Sequence, residues 1–324
     1  MRRVMVVLAA VAALLLAAVP VGADVETCQR RARRCSTPPS PHAKATSEAT
    51  LAKRLEPGQR IVVPVVYHVV YGSSGPPPGE DPDDLAHAPS VELVRRQAKV
   101  LQRAFRGTRI SFPTVEVAFH DFTPWSTRPR APGVAALPEE VTAMLRDLSA
   151  NRRDVLHVLL LPQVQNRAAP ADVKSIFENV SDADGILLNW DYLPYVPALR
   201  PIRDRKIRRW YYEGETLVHL VGHYVGLLDT FEEAPDDCYE TCAKTTDFVR
   251  DTPSHRWTYE ENGPWCLPLD TCPDLPGMDP MTNFMSDEPD LCASEFTPGQ
   301  IERMERMVRR FRPRLVVSAP GSPP

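Results

Sequence analysis

The chain has 324 residues (36.2 kDa), 43% of them hydrophobic and 25% charged, with a net charge of -4. That is enough apolar residue for one large core or two modest ones. The balance excludes a disordered acidic chain and a basic nucleic-acid binder. There are only 15 Gly against 34 Pro, and neither G-x-G-x-x-G nor G-x-x-x-x-G-K-[ST] occurs, so the phosphate-cradling loop of a nucleotide enzyme is absent.

The first element is a leader. Arg2 and Arg3 precede a stretch of Val, Ala, Leu and Met from Val4 to Val19; Pro20 breaks it, and Val21-Gly22-Ala23 supplies small residues for cleavage. This reads as a signal peptide over residues 1–23, cut after Ala23, and places the mature chain outside the cell. A transmembrane anchor is the alternative, but an apolar run of about 16 residues is short for a span. No later segment suits a membrane anchor. Residues 24–58 are polar and rich in Arg, Pro and Ser, like a propeptide or loose arm.

From there the pattern is regular. Ile61 to Tyr71 (IVVPVVYHVVY) reads as one buried strand. Ser90 caps a helix in which Leu93, Val94, Gln97, Leu101, Ala104 and Phe105 recur at helical spacing, with Gly107 beyond its end. Ile110–Phe112 and Val115–Phe119 read as strands, Pro138 to Ala150 as a helix, and Val155–Leu161 and Gly185–Trp190 as buried strands. The order predicts a mixed sheet with backing helices. Six basic side chains between Arg200 and Arg209 read as a solvated loop, or as a docking surface for an acidic partner. Asn179-Val-Ser181 is a glycosylation sequon. Glu213 to Leu227 is helical again, residues 229–290 are irregular and rich in Asp, Pro and Cys, and Thr297 caps a last amphipathic helix that runs to Phe311. Residues 314–324 form a Pro-rich tail.

Seven cysteines follow the leader: Cys28, Cys35, Cys238, Cys242, Cys266, Cys272 and Cys292. In an oxidising compartment they read as a disulfide framework with at least one thiol over. A zinc site built on Cys238-x3-Cys242 is the alternative, without a second matching pair.

Chemistry concentrates on the penultimate helix. His219 and His223, four residues apart, project from one face and can grip one metal ion. Gly226 allows the helix to end, and Asp229 follows three residues on, so three side chains can converge and leave a fourth position for water. The bland alternative is a buried, hydrogen-bonded histidine pair without metal.

The whole string from Thr216 to Phe231, TLVHLVGHYVGLLDTF, resembles the zinc-binding helix of the pappalysin family of metzincin metallopeptidases, T-L-V-H-E-x-G-H-x-x-G-L-x-H-T-F. Cys242, Asp251-Thr-Pro253, Cys266, Cys272, Gly277-Met-Asp-Pro280, Asn283-Phe-Met285, Cys292 and Phe296-Thr-Pro-Gly-Gln300 follow in the family's order and spacing, and weaker likeness extends over residues 33–313. The resemblance implies an α+β metzincin fold. Its upper subdomain, residues 59–228, would be a twisted mixed sheet with backing and active-site helices. Its lower subdomain, residues 229–313, would be irregular and disulfide-stapled, with the Met-turn and the C-terminal helix. It implies zinc on His219, His223 and Asp229, Met285 as the floor of the site, disulfides Cys242–Cys272 and Cys266–Cys292, and calcium at Asp247 and Asp251. Those two carboxylates read otherwise as turn formers bonding backbone amides. Cys28, Cys35 and Cys238 stay unassigned; Cys35 could cap the zinc as a thiolate, or pair with Cys28 or Cys238.

Three positions depart from the family. Leu220 replaces the glutamate that takes a proton from metal-bound water, a function worth about 10²–10⁴-fold. Asp229 replaces the third histidine, which is tolerable because carboxylate oxygen also binds zinc. Asp287 stands where a tyrosine would face the oxyanion, and its charge has the wrong sign for that task. As surrogate bases only Glu215, one turn before His219 but pointing away from the cleft, and Asp287 suggest themselves. The expectation is a secreted pseudopeptidase that keeps a cleft for a peptide or protein ligand. The alternatives are an active zinc endopeptidase and a non-enzymatic metal-binding or interaction protein.

Overall fold

Pro64 divides what reads in the sequence as one strand. Its ring leaves no N–H for a ladder, and the chain forms β1 (Gln59–Val62) and β2 (Val65–Tyr71), which belong to different sheets. The structure, a computed structural model, describes residues 53–71, 88–121, 139–152, 154–161, 169–170, 184–194, 211–231, 242, 247–256 and 266–318. These all lie in one compact unit, Thr37–Pro324. The leader, the sequon, the basic run, Cys28, Cys35 and Cys238 lie outside the described residues.

The larger sheet has the order β4-β2-β5-β7-β6. β4 (Thr114–Asp121), β2, β5 (Leu156–Leu161) and β7 (Gly185–Asn189) run parallel, and the two-residue β6 (Ala169–Pro170) closes one edge antiparallel. Parallel strands covered on both faces require apolar residues on both, which explains the near-continuous runs VVYHVVY and LHVLLL. Val65, Tyr67, Val69, Leu156, Val158 and Leu160 face the main core, with α1 (Val91–Ala104) and α3 (Glu215–Tyr224). Val70, Leu159, Leu161 and Leu187 point the other way, onto Val141 and Leu145 of α2 (Glu139–Asn151). Alternation places His68 and His157 on that same second face. There His68 bridges His120 and His157 at 2.9 Å on each side, and His157 bonds the Arg152 carbonyl at 3.0 Å.

The smaller sheet, β3-β1-β8, uses what the sequence presents as a tail. Val316–Ser318 form β8, antiparallel to β1, because β-branched residues meet an open strand edge; β3 (Ile110–Ser111) lies parallel on the other side. α4 (Pro298–Phe311) leads into it. Thr297 and Gln300 form a capping box at its start. At its end Arg312 donates to both oxygens of Asp184, at 2.5 and 2.8 Å, and lies 3.8 Å over the Tyr224 ring, tying α4 to the last residue of α3.

Between α3 and α4 the described residues contain no helix and only one isolated bridge, Asn283 to Glu295. Disulfides Cys242–Cys272 and Cys266–Cys292, the pairings the family resemblance implies, cross-link this stretch.

Candidate metal centre

α3 is three turns long and apolar on the side that faces the sheet: Leu217, Val218 and Val221 are fully buried. Gly222 lets it lie on the loop beneath, since any side chain there would run into Met285 Sδ. The helix stops at Gly226, whose φ of 106° suits glycine and whose missing side chain leaves room for Met307. Arg303 Nε donates to the Gly226 carbonyl at 2.9 Å and holds the exit of the helix, from which Asp229 turns back.

The fold brings His219, His223 and Asp229 together, with donor atoms all within 4.8 Å of one another. His219 Nδ1 donates to the Phe284 carbonyl (2.9 Å) and His223 Nδ1 to the Leu227 carbonyl (3.0 Å). A carbonyl oxygen only accepts, so both Nδ1 atoms carry a proton, and Nε2 is the atom each ring turns toward the triad. The two Nε2 atoms lie 3.0 Å apart and 3.3 and 3.4 Å from Asp229 Oδ1. Asp229 Oδ1 is buried without a hydrogen-bond donor. Three such atoms at this spacing can share a cation, as they can share a proton carried on one Nε2. Zinc–ligand bonds of about 2.0–2.1 Å in a tetrahedron put the donors about 3.3 Å apart, so the residues present fit the ion. Burial alone would raise the Asp229 carboxyl, but the imidazoles of His223, His219 and His255 outweigh it and hold the carboxyl below its ordinary range. The side chains of His219 and Asp229 keep 17% and 16% of their surface exposed, so one side of the triad is open.

The residues around the triad carry little acid–base chemistry. Leu220 is 3% exposed and belongs to the main core. Glu215 faces Arg103 at 3.8 Å; burial, then the charges of Asp290 and Glu213, push its carboxyl up to about 8. It is turned toward α1, away from the donors. Asp287 takes a left-handed φ of 56° beside Glu288, whose carboxyl is pushed up to about 7 by burial and by Asp287 and Asp279. Met285 is fully buried beneath α3.

Asp247 and Asp251 are occupied with the chain itself. Asp247 accepts from the Val249 amide (3.0 Å) and the Thr252 hydroxyl (2.6 Å), and Asp251 from the Thr297 hydroxyl (2.7 Å) and the Gly299 amide (2.8 Å) at the start of α4. Asp247 thus bonds its own turn, as in the turn-forming alternative, whereas Asp251 ties that turn to α4; nothing supports calcium at the pair.

Sequence reasoning missed the groups that orient the site. The carbonyls of Phe284 and Leu227 have no side-chain signature. His255 bonds Thr230 at 2.8 Å beside Asp229, and Asp290 accepts from the amides that open α3; neither belongs to a periodic pattern.

The peptidase family model described as Pregnancy-associated plasma protein-A matches residues 211–309. An extracellular metalloprotease of Pyricularia oryzae is 39% identical over 99 residues, 31% of each chain. One of Verticillium alfalfae is 30% identical over 164 residues, 50% of this chain and 52% of that one. One of Arthroderma gypseum is 28% identical over 226 residues, 69% and 67%. The matches thus span about a third and about half of the first two relatives' own length. Among solved structures, mature mirolysin of Tannerella forsythia in complex with a cleaved peptide superposes with a TM-score of 0.53 at 19% identity, covering 79% of this chain and 95% of that one. Promirolysin of the same organism gives 0.56 at 18% identity, covering 88% and 94%. That likeness establishes the metzincin-type α+β fold. Donor helix, ligand turn, Met-turn and both disulfides fall inside the segment, residues 211–309, over which the chain is similar to that peptidase family.

Proposed function

We propose that this chain is a secreted zinc-binding pseudopeptidase. It would hold zinc at His219, His223 and Asp229 and a peptide in the cleft above them, while hydrolysing peptide bonds poorly or not at all. One observation carries this reading: the donor triad is intact and open on one side, and Leu220, packed in the core, occupies the place of the proton-transferring glutamate. Zinc, when bound, supplies a Lewis acid for a carbonyl or a water. The chain's own residues then bind and orient. His219 and His223 are locked as Nε2 donors to the ion by Phe284 and Leu227, and Asp229 brings the compensating charge. Leu220 neither accepts a proton nor returns one to a leaving amine, and Asp287 adds negative charge where an oxyanion would develop. Secretion is supported by the leader-like N-terminus and by the extracellular relatives; no helix among the described residues is long and apolar enough to cross a membrane.

The test is cleavage of unfolded protein and a mixed peptide pool by the parent and Leu220→Glu, with zinc and with chelator. The expected result is a silent parent and a variant at least about 10²-fold more active. Chelator-sensitive cleavage by the parent would overturn the pseudopeptidase reading in favour of an active endopeptidase. A folded, zinc-loaded Leu220→Glu that stays silent would overturn the claim that the missing base is what disables the cleft.

A further inference from the structure

We propose that Asp290 is a positioning residue for the donor triad. Its carboxylate, supplied by the loop that follows the Met-turn, serves as the N-cap of α3 and sets where that helix presents His219 and His223. The inference rests on the metal-binding reading above.

The start of α3 has no cap of its own. Gly214 occupies the N-cap position with a φ of 92° and offers no side chain. Glycine is required there, because a Cβ would lie 2.7 Å from Gln97 Oε1 and 2.9 Å from Pro194. The chain entering the helix needs acceptors for its buried amides, and Asp290 Oδ2 accepts from the two just before the first turn, Glu213 N at 2.8 Å and Gly214 N at 2.9 Å. Asp290 is 4% exposed, so water does not substitute for it. From the other side, Gln97 Nε2 of α1 holds the Gly214 carbonyl at 2.8 Å.

The same loop reaches the metal donors at two further points. Phe284 O orients His219, and Met285 O accepts from Thr230 N at 2.9 Å, next to Asp229. The loop is itself pinned: Asn283 exchanges two hydrogen bonds with Gln300, and Cys292, two residues after Asp290, is held by Cys266. His219 lies five residues beyond Gly214, little more than one turn. A shift at the cap therefore passes to the first donor with almost no helix to absorb it, while Phe284 O stays where the pinned loop holds it.

The experiment measures cobalt(II) and zinc affinity, the cobalt absorption spectrum, and the thermal midpoint of the metal-free chain. It uses the parent, Asp290→Ala, Asp290→Asn and Ser90→Ala. Ser90→Ala removes the equivalent cap of α1, whose Oγ accepts from Leu93 N, without touching the triad. Removing outer partners of metal ligands weakens binding about 10–100-fold. The expected result for Asp290→Ala is about tenfold weaker binding with an altered cobalt spectrum. Asp290→Asn, which keeps an acceptor, is expected to recover most of the affinity and to remain informative if Asp290→Ala does not fold. Ser90→Ala should lower the thermal midpoint and leave affinity unchanged. Affinities of both Asp290 variants within twofold of the parent would overturn the inference and leave Asp290 as a stability cap. A loss in Ser90→Ala equal to that in Asp290→Ala would overturn it equally. A parent that takes up neither metal would instead overturn the metal reading on which the inference stands.

Discussion

The region up to Leu228 and the stretch from Asp229 to Phe296 solve the same problem by different means. Every buried backbone amide and carbonyl needs a partner. In the first region, ladders and helices supply it, and side chains are left to fill the core around Val65, Tyr67, Leu156 and Val158. In the second, Asp and Asn side chains do much of the bonding: Asp247 to Val249 N, Asp270 to Cys272 N, Asp279 to Thr271 N, Asn283 to Met285 N. Two disulfides then hold what periodic structure does not. The difference teaches where the site's accuracy comes from. α3 provides the histidines, but the acceptor that orients His219, the floor under Gly222 and the cap on Gly214 all come from the irregular stretch.

Removing the staples should separate the two regions most sharply. The bridges span 30 and 26 residues, and closing loops of that length is worth about 3.5 kcal/mol each in the chain-entropy account. Replacing Cys266 and Cys292 by Ser is expected to abolish zinc binding while the far-ultraviolet circular dichroism of the sheet and helices persists. Loss of both signals together would show that the regions fold as one unit. The reverse experiment targets the sheet. Leu156→Ala empties a fully buried position in the main core and should lower stability by about 3 kcal/mol, read from denaturant midpoints. Because the core spans α3 and α4 as well, the whole chain should unfold in that single step; a stable remnant of the disulfide-linked stretch would contradict this.

The smallest effect expected is in pH dependence, and it has opposite signs in the two regions. On the sheet, burial and the neighbouring imidazoles of His157 and His120 push His68 down to about 3; burial also lowers His120, against Glu116, and His157, against the Arg152 carbonyl, Asp184 and Asp154. The unfolded chain takes these protons first, so their contribution falls as pH drops below about 6.5. Around the Met-turn loop, burial raises Asp290 and Glu288 to about 7, and Glu215, facing that loop, to about 8. Here the folded chain holds protons that the unfolded chain releases, so this contribution is complete below about pH 4, declines as pH rises from there, and is lost by about 7 to 8. His255, lowered by burial, and Asp229, held low by the imidazoles around it, are exceptions on that side. Thermal midpoints of the metal-free chain should therefore decline from pH 6.5 to about 8 and level off above it, with a shallower slope in Glu215→Gln. Between pH 6.5 and 5, His68→Gln should lose less stability than the parent. Identical slopes in parent and variants would remove these groups from the account.

Several elements were legible without coordinates because their signals are local. Ser90 and Thr297 cap helices through their own hydroxyls, strand alternation sorts Val69 from Val70, and four-residue spacing puts His219 and His223 on one helix face. The family pattern added the disulfide partners, which spacing alone leaves open. Other features depended on segments distant in the chain. Pro64 marked a break, but only the sheets decide that β1 and β2 part company. The Val316-Val317 pair looked like a tail until β1 offered an edge.

By itself, then, the sequence determined the periodic elements, the four-residue spacing of His219 and His223, and the presence of Leu220 where the motif it resembles has glutamate, all properties of neighbours along the chain or of a motif. Only the tertiary structure decided that both histidines turn Nε2 toward Asp229, that Asp247 bonds its own turn and Asp251 the start of α4, and that Asp290 holds the chain entering α3. The physical reason is common to all three. A hydrogen bond to a backbone group, from a residue dozens of positions away or from a neighbour in a non-periodic turn, leaves no pattern in the sequence, yet it settles which atom of a side chain remains available.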